Sequence, residues 1–363
     1  MDRTFMKGSE AIAEAAIRAG CRFFAGYPIT PQNEIPEYFS RRMPEVGGVF
    51  VQGESEVASV NMVMGSSATG TRAMTSSSSC GISLKTEGIS YIAQGKLPSV
   101  IVSVMRGGPG VGSIQPAQQD YFQATKAMGN GGFHTLVYAP ATLQEAIDTM
   151  SLAFDKAEQY RFPVVVLIDG FTAVMMEPVA LPPMKTDEEI AAIYAKNDEW
   201  SATGKKHKDD PLRHVLFGDG AKRGTLQTQN RTDEAMYETW AEKEVQVEEY
   251  MLEDAEVVIA AYGISARIAK AAIEELRSEG YKIGMIRPIT VYPFPYENFE
   301  KLDMGGKVKG ILDCELSIPA QMIEDVRLAV GRKANIRTCL RSGGEILSRT
   351  EIVEAAKAMF ENK

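Results

Sequence analysis

The stretch PSVIVSVM, residues 98–105, decides the fold class. An apolar run of this length is typical of a strand that is covered on both faces of a parallel sheet. A second run, PVVVLID at 163–169, follows a helix whose start is marked by the capping box of Thr142 and Glu145. Strand-like and helix-like segments alternate around both runs. The sequence therefore predicts an α/β fold with a doubly wound, mostly parallel sheet.

The alternation divides the chain into three parts. Residues 1–185 are predicted to form the first α/β domain, and 251–363 a second, smaller one. Between them, 186–250 is polar and rich in charge, which indicates a connecting segment with some helix, above all at 232–251. Ser265 is predicted to cap the first helix of the second domain.

Composition and charge limit the class of function. The chain has 363 residues, of which 44% are hydrophobic and 24% charged, as in ordinary globular proteins. A net charge of −9 argues against a nucleic acid or an anionic membrane as the main partner. The sequence contains no apolar run of membrane-spanning length, and its first residues do not resemble a signal peptide. We therefore expect a cytoplasmic protein.

The metal-binding residue types do not form a recognisable site. The four cysteines lie far apart without CxxC spacing, and no histidine has a second ligand at helical spacing. Neither a metal site nor an iron–sulfur cluster is therefore predicted in this chain. The string RGGPGVG at 106–112 resembles a dinucleotide loop, but Ser113 stands where the third glycine is needed, so NAD binding is not expected.

Two carboxylates stand at a strand-to-helix junction in FVQGESEVASV, residues 50–60. The helix macrodipole favours an acid there by ~0.3–1 kcal/mol. That effect explains one acid, and a capping or solvated role remains open for Glu54. Glu56 introduces an apolar helix, where burial of its carboxylate would be costly. The macrodipole therefore explains the position of Glu56 less well, and a functional role for this residue stays open beside the capping one.

Two further loops follow predicted strands. In GYPITPQ, residues 26–32, two prolines restrict the backbone, so the loop can present the Thr30 hydroxyl or simply form a stiff start to a helix. In TSSSSCG, residues 75–81, the hydroxyls either cap backbone groups or line a pocket.

Taken in order, YPITP, GESE, TSSSSCG and MRGGPGVG resemble the 2-oxoacid:ferredoxin oxidoreductases, and more narrowly the alpha subunit of the branched-chain (2-ketoisovalerate, or 3-methyl-2-oxobutanoate) members. The strings IRPIT, YPFPY and AQMIEDVRLAVG agree, so the resemblance covers nearly the full length. It implies a pyrimidine-binding domain of a thiamine diphosphate enzyme, followed by a transketolase C-terminal-like domain.

The resemblance also implies roles for particular residues. Glu56 would be the catalytic glutamate that hydrogen-bonds N1′ of the cofactor's aminopyrimidine, with Pro28 and Ile29 also at the cofactor. Thr30 and Arg106 would hold the substrate carboxylate, and an arginine can bond both carboxylate oxygens.

Partner chains are implied as well. A beta subunit would hold Mg²⁺ and the diphosphate end of the cofactor, since FGDG at 217–220 lacks the downstream asparagine that such a motif requires. Gamma and ferredoxin-like delta subunits would bring [4Fe–4S] clusters. The complete enzyme would convert a 2-oxoacid, coenzyme A and oxidised ferredoxin into acyl-CoA, carbon dioxide and reduced ferredoxin.

Alternatives remain at this point. Within the resemblance, the apolar residue Val111 near the site favours a branched aliphatic 2-oxoacid such as 2-ketoisovalerate over 2-oxoglutarate. A thiamine-dependent lyase or ligase that acts without ferredoxin is a second possibility. A non-catalytic regulatory or assembly subunit that kept the fold is a third.

Overall fold

The computed structural model describes residues 3–205, 207–210, 212–213, 215 and 224–361, so the FGDG string lies outside the described residues. The strands are β1 (Thr4–Lys7), β2 (Phe23–Gly26), β3 (Val49–Gln52), β4 (Ala73–Ser77), β5 (Ser99–Gly107), β6 (Ser113–Pro116), β7 (Leu136–Tyr138), β8 (Pro163–Asp169), β9 (Met176–Val179), β10 (Val247–Tyr250), β11 (Val257–Ala261), β12 (Ile283–Pro288), β13 (Thr290–Tyr292), β14 (Gly310–Glu315) and β15 (Ile336–Leu340). The helices are α1 (Gly8–Arg18), α2 (Glu34–Arg42), α3 (Glu56–Ala68), α4 (Cys80–Gln94), α5 (Tyr121–Thr125), α6 (Leu143–Tyr160), α7 (Gly170–Val174), α8 (Asp187–Asn197), α9 (Thr225–Lys243), α10 (Gly263–Ser278), α11 (Tyr296–Glu300), α12 (Ile323–Val330) and α13 (Arg349–Phe360).

The first sheet has the strand order β13-β7-β8-β5-β4-β2-β3, and β6 pairs with β5. The pairs from β7 through to β3 are parallel, whereas β13 and β6 are antiparallel additions. Strand β5, which contains most of the stretch at 98–105, is buried along its whole length between β4 and β8. The predicted doubly wound, mostly parallel sheet is confirmed.

The second sheet has the order β10-β12-β11-β14-β15, parallel except for β10. The prediction of helix at 232–251 is wrong at its end, because α9 stops at Lys243 and β10 follows. In the antiparallel register Glu248 lies opposite Arg287, and its carboxylate accepts a hydrogen bond from the Arg287 Nε at 2.7 Å. A cross-strand ion pair of this kind favours the strand.

An aromatic cluster attaches α9 to the first domain. Trp240 is fully buried, and its ring centroid lies 5.5 Å from that of Tyr160 and 5.8 Å from that of Phe162. One apolar anchor thus holds an otherwise polar helix. No helix within the described ranges is both long and apolar enough to cross a membrane.

Gln118 joins the two parts of the molecule. Its Nε2 donates to the Tyr262 carbonyl at 2.9 Å, and its Oε1 accepts from Ser265 Oγ at 2.8 Å and from the Leu316 amide at 3.0 Å. The prediction that Ser265 caps α10 is therefore wrong. The N-cap is Tyr262, and the Ser265 hydroxyl is used in the contact between α10 and the segment that follows β6.

Candidate active site

The predicted site residues lie at one edge of the first sheet. Thr30 follows β2, Glu56 follows β3, the TSSSSCG turn follows β4, and Arg106 lies near the end of β5. Because these strands are parallel neighbours, their carboxyl ends meet at the same edge. This is where ligands bind in open α/β sheets.

The two glutamates of the GESE string differ in burial. Glu54 is exposed, whereas Glu56 is 5% exposed. Ser55 is the N-cap of α3, and its side chain accepts from the Ala58 amide at 3.1 Å, which places Glu56 at the first helical position. Within the described part of the chain, no hydrogen-bond donor pairs with the Glu56 carboxylate. A buried acceptor of this kind needs a donor to offset its desolvation.

Gly81 packs against this carboxylate. A Cβ built on Gly81 would stand 2.7 Å from Glu56 Oε1 and 2.1 Å from Ser77 Oγ. The hydroxyls of Ser77 and Ser78 are buried, and among the described residues they have no hydrogen-bond partner. The turn therefore presents unpaired hydroxyls and a carboxylate in one place.

The Arg106 guanidinium is held by main-chain carbonyls. Its Nη1 donates to the Thr30 carbonyl at 2.9 Å, and its Nη2 donates to the Val111 carbonyl at 3.1 Å and to Cys80 Sγ at 3.0 Å. The Nε is buried, and no partner for it lies in the described ranges. Although Arg106 is 4% exposed, it forms no ion pair with a described carboxylate. A guanidinium that is held in one orientation in this way can receive an anion.

Asp120 supports the Arg106 strand end. Its Oδ2 accepts from Ser79 Oγ at 2.6 Å and from the Arg106 amide at 3.3 Å. Burial raises the pKa of this carboxyl to about 6, against the lowering effect of these hydrogen bonds and of the Arg106 charge. Ser79 itself has φ of 35°, a left-handed conformation that is uncommon for a residue with a side chain.

A cavity of about 430 Å³ lies beside Asp120. Its walls come from the Cys80 turn, from the loop at 108–110 and from Ile318 and Pro319 after β14. Both parts of the chain therefore contribute to the space next to Asp120.

Two family profiles match the chain. Residues 14–252 match the family described as pyruvate flavodoxin/ferredoxin oxidoreductase, thiamine diphosphate-binding. This chain belongs to that oxidoreductase family. Residues 255–352 of the oxidoreductase chain match the pyruvate:ferredoxin oxidoreductase core domain II. The predicted membership of the 2-oxoacid:ferredoxin oxidoreductases and the predicted pair of domain types are confirmed.

Relatives of the oxidoreductase chain include the ketoisovalerate oxidoreductase subunit VorB of Methanothermobacter thermautotrophicus, which is 42% identical over 98% of this chain and 97% of its own length. The 2-oxoglutarate synthase subunit KorA of Methanocaldococcus jannaschii is 34% identical over 97% of this chain and 98% of its own. The structure of the 2-oxoglutarate:ferredoxin oxidoreductase from Magnetococcus marinus superposes with a TM-score of 0.81 at 24% identity, covering 99% of this chain and 65% of that one. That likeness shows the fold.

Sequence reasoning missed two site residues of the oxidoreductase chain. No motif or periodicity in the sequence marks Asp120 as a functional residue. Lys85 is marked by a sequence pattern, because it lies at helical spacing from Ile82, Ile89 and Ile92 on the apolar side of α4. In the structure it is fully buried. A lysine in such a row indicates a buried ammonium that needs partners.

The remaining predicted residues differ in exposure. Pro28 is exposed, whereas Ile29 and Thr30 are half-buried. The Thr30 carbonyl, rather than its hydroxyl, meets Arg106. Contacts of Pro28 and Ile29 with a cofactor stay predictions.

Proposed function

We propose that this chain supplies the aminopyrimidine side of a thiamine diphosphate site, with Glu56 as the residue that hydrogen-bonds N1′. The observation that supports this most concerns two buried charged groups, Glu56 and Arg106, which contact the same short turn and are each incompletely partnered among the described residues. Among the described residues, no donor meets the buried Glu56 carboxylate, and no carboxylate forms an ion pair with the buried Arg106. The two groups contact consecutive residues, because Gly81 meets Glu56 and Cys80 meets Arg106.

The residues present fit the cofactor in chemical type. A protonated ring nitrogen supplies the donor that the Glu56 carboxylate lacks, and the unpaired hydroxyls of Ser77 and Ser78 offer further polar contacts. Pro28 and Ile29 lie on the loop after β2 and would contact the cofactor from there. When bound, thiamine diphosphate supplies the nucleophilic carbon and the electron sink for decarboxylation of a 2-oxoacid. Glu56 would hold a proton at N1′, which promotes loss of a proton from the 4′-amino group and so allows that nitrogen to act as a base.

Thr30 and Arg106 hold the substrate carboxylate in this proposal. The carbonyls of Thr30 and Val111 fix two of the guanidinium nitrogens, so the orientation of the fork is set before an anion arrives. A pre-oriented guanidinium loses little entropy when it binds a carboxylate.

We propose 2-ketoisovalerate and related branched 2-oxoacids as substrates, with 2-oxoglutarate as the second candidate. The higher identity to VorB than to KorA supports this order. The loop after β5 also exposes two apolar side chains, Val111 at 80% and Ile114 at 56%. An apolar loop accommodates an aliphatic substrate better than a second carboxylate.

The rest of the enzyme is proposed to lie on other chains. A beta subunit would hold Mg²⁺ and the diphosphate, gamma and ferredoxin-like delta subunits would carry [4Fe–4S] clusters, and ferredoxin and coenzyme A would complete the reaction. The names of VorB and KorA as subunits support partner chains. In this chain Cys21 and Cys314 are buried far apart in sequence, which does not suit a cluster.

The decisive experiment is coenzyme A-dependent viologen reduction by the co-expressed complex, compared across 2-ketoisovalerate, 2-oxoglutarate and pyruvate. Glu56→Gln should lower turnover by about 100-fold or more, since it removes a contribution to general acid–base catalysis. The matched Glu54→Gln change should leave turnover within about twofold, because Glu54 is exposed.

Each alternative has its own outcome. Unchanged turnover in Glu56→Gln would support a regulatory or assembly role and refute the proposal. Consumption of the 2-oxoacid without viologen reduction and without a cluster-bearing chain would support a lyase or ligase. Higher turnover with 2-oxoglutarate than with 2-ketoisovalerate would refute the proposed substrate but not the proposed role of Glu56.

A further inference from the structure

Lys85 is a fully buried lysine whose ammonium reaches the first turn of α3. Its Nζ donates to Ser59 Oγ at 2.7 Å, to Thr75 Oγ1 at 3.0 Å and to the Glu56 carbonyl at 3.4 Å. These partners belong to α3 and β4, so one side chain from α4 connects the two elements that flank the Glu56 carboxylate.

The partners of Lys85 require its charged form. The Ser59 hydroxyl donates its own proton to the Glu56 carbonyl at 3.0 Å, and the Thr75 hydroxyl donates to the Ala25 carbonyl at 2.7 Å. Both hydroxyls therefore accept from Nζ, and a carbonyl can only accept. Three acceptors match the three N–H groups of an ammonium, whereas a neutral amine has two.

The charges around Lys85 are few. Burial lowers the pKa of Lys85 to about 7, and the Glu56 charge opposes this shift. Strand β4 contributes no ionisable side chain, and besides Lys85 the helix α4 carries Cys80 and the exposed Glu87 and Tyr91. Among the described residues, the Glu56 carboxylate is therefore the charged group that acts on Lys85.

We propose that Lys85 is a positioning residue for Glu56, whose hydrogen bonds to Ser59 and to the Glu56 carbonyl fix the first turn of α3 and so place the Glu56 carboxylate at the aminopyrimidine. The inference rests on the proposed function of Glu56. It predicts that Glu56 functions fully at the cofactor only while Lys85 is protonated. Loss of the Lys85 proton removes one hydrogen bond and the charge together.

The test uses the reconstituted complex with Lys85→Met, which keeps the length and apolar stem of the side chain, and Lys85→Gln, which keeps two donors without the charge. Readouts are turnover from pH 6 to 9, exchange of the thiazolium C2 proton by NMR, and thiamine diphosphate affinity by calorimetry. Lys282→Met, at an exposed lysine of the second domain, is the control.

In the wild type, turnover should fall as the pH rises through about 7, by about tenfold per unit well above that value. Both Lys85 variants should lower C2 exchange at pH 6.5 by about ten- to a hundredfold. They should also lower cofactor affinity and lose the alkaline decrease in turnover. Asp120 has a pKa of about 6 and therefore titrates below pH 7, so it does not cause the decrease in turnover above that pH.

A variant that is slower by a constant factor but keeps the alkaline decrease and the wild-type cofactor affinity would overturn the inference, because that result needs only a packing role. Glu56→Gln is measured beside it to separate the two proposals. If Glu56→Gln is inactive and Lys85→Met behaves as the wild type, the inference on Lys85 alone fails. If Glu56→Gln keeps the wild-type turnover, the proposed function is wrong, and the inference on Lys85 is wrong with it because it rests on that function.

Discussion

The Glu56 carboxylate and Gly81 lie in direct contact across the starts of α3 and α4. A Cβ on Gly81 would stand 2.7 Å from Glu56 Oε1, closer than real Cβ contacts. The preceding residue, Cys80, contacts the Arg106 guanidinium through Sγ at 3.0 Å. One turn of chain therefore fixes the spacing between the proposed cofactor residue and the proposed substrate residue. Three predictions test this arrangement.

Gly81→Ala should disable the site while the fold persists. The new methyl group would stand 2.1 Å from Ser77 Oγ as well as against the carboxylate, so one of them must move. A displacement of about 1 Å can cost about a hundredfold in rate. We expect turnover of the reconstituted complex and thiamine diphosphate affinity, measured by calorimetry, to fall at least about tenfold.

Gly65→Ala on α3 is the matched control for this change. A Cβ there meets nothing within 4 Å, and the residue is exposed in a helix. The change should raise the free energy of unfolding by about 0.5–1 kcal/mol and leave turnover unchanged. Equal turnover in both alanine variants would show that the contact between Gly81 and Glu56 does not matter for the site.

Arg106→Lys should raise the KM for the 2-oxoacid. A lysine cannot donate at once to the carbonyls of Thr30 and Val111 and to both oxygens of a carboxylate. Losing one charged hydrogen bond costs about 1.5–3 kcal/mol, so the KM should rise by about ten- to a hundredfold in steady-state assays.

The comparison for this substitution is Arg231→Lys, on the exposed side of α9. It should leave KM within about twofold, because exposed ion pairs contribute little. A KM that stays at the wild-type value in Arg106→Lys would exclude Arg106 from carboxylate binding.

Asp120→Asn should change how stability depends on pH. Burial raises the pKa of Asp120 from 3.8 to about 6, so the folded protein holds this proton more tightly than the unfolded chain. The stabilising contribution is complete below pH ~4 and is lost as the pH rises through ~6, a change of about 3 kcal/mol. Asparagine does not titrate. Because the unfolded aspartate still titrates near pH 4, the part of this change between pH 4 and 7 is about 2 kcal/mol, and the unfolding free energy should shift by that amount in favour of the variant.

Urea unfolding at pH 4, 5, 6 and 7 measures this difference. Asp148→Asn serves as the control because its carboxylate is exposed, and its difference from the wild type should stay nearly constant. A constant difference for Asp120→Asn as well would mean that Asp120 keeps an ordinary pKa in the folded protein.

The sequence by itself determined the elements and the class of the protein. The apolar runs at 98–105 and 163–169 became β5 and β8, and the capping pair of Thr142 and Glu145 starts α6, where the Thr142 side chain accepts from the Glu145 amide at 3.2 Å. These features depend on neighbours a few residues away, so local pattern is sufficient. The order of motifs likewise identified the oxidoreductase family.

Only the tertiary structure decided which polar groups meet. Ser265 looked like a cap and instead bonds Gln118, 147 residues away in sequence. Asp120 is paired with Ser79, and Lys85 with Ser59 and Thr75, because parallel strands bring distant loops to one edge of the sheet. Burial then removes water from these groups and shifts the pKa values of Asp120 and Lys85 towards neutrality, an effect that depends on surroundings which the linear order of residues does not contain.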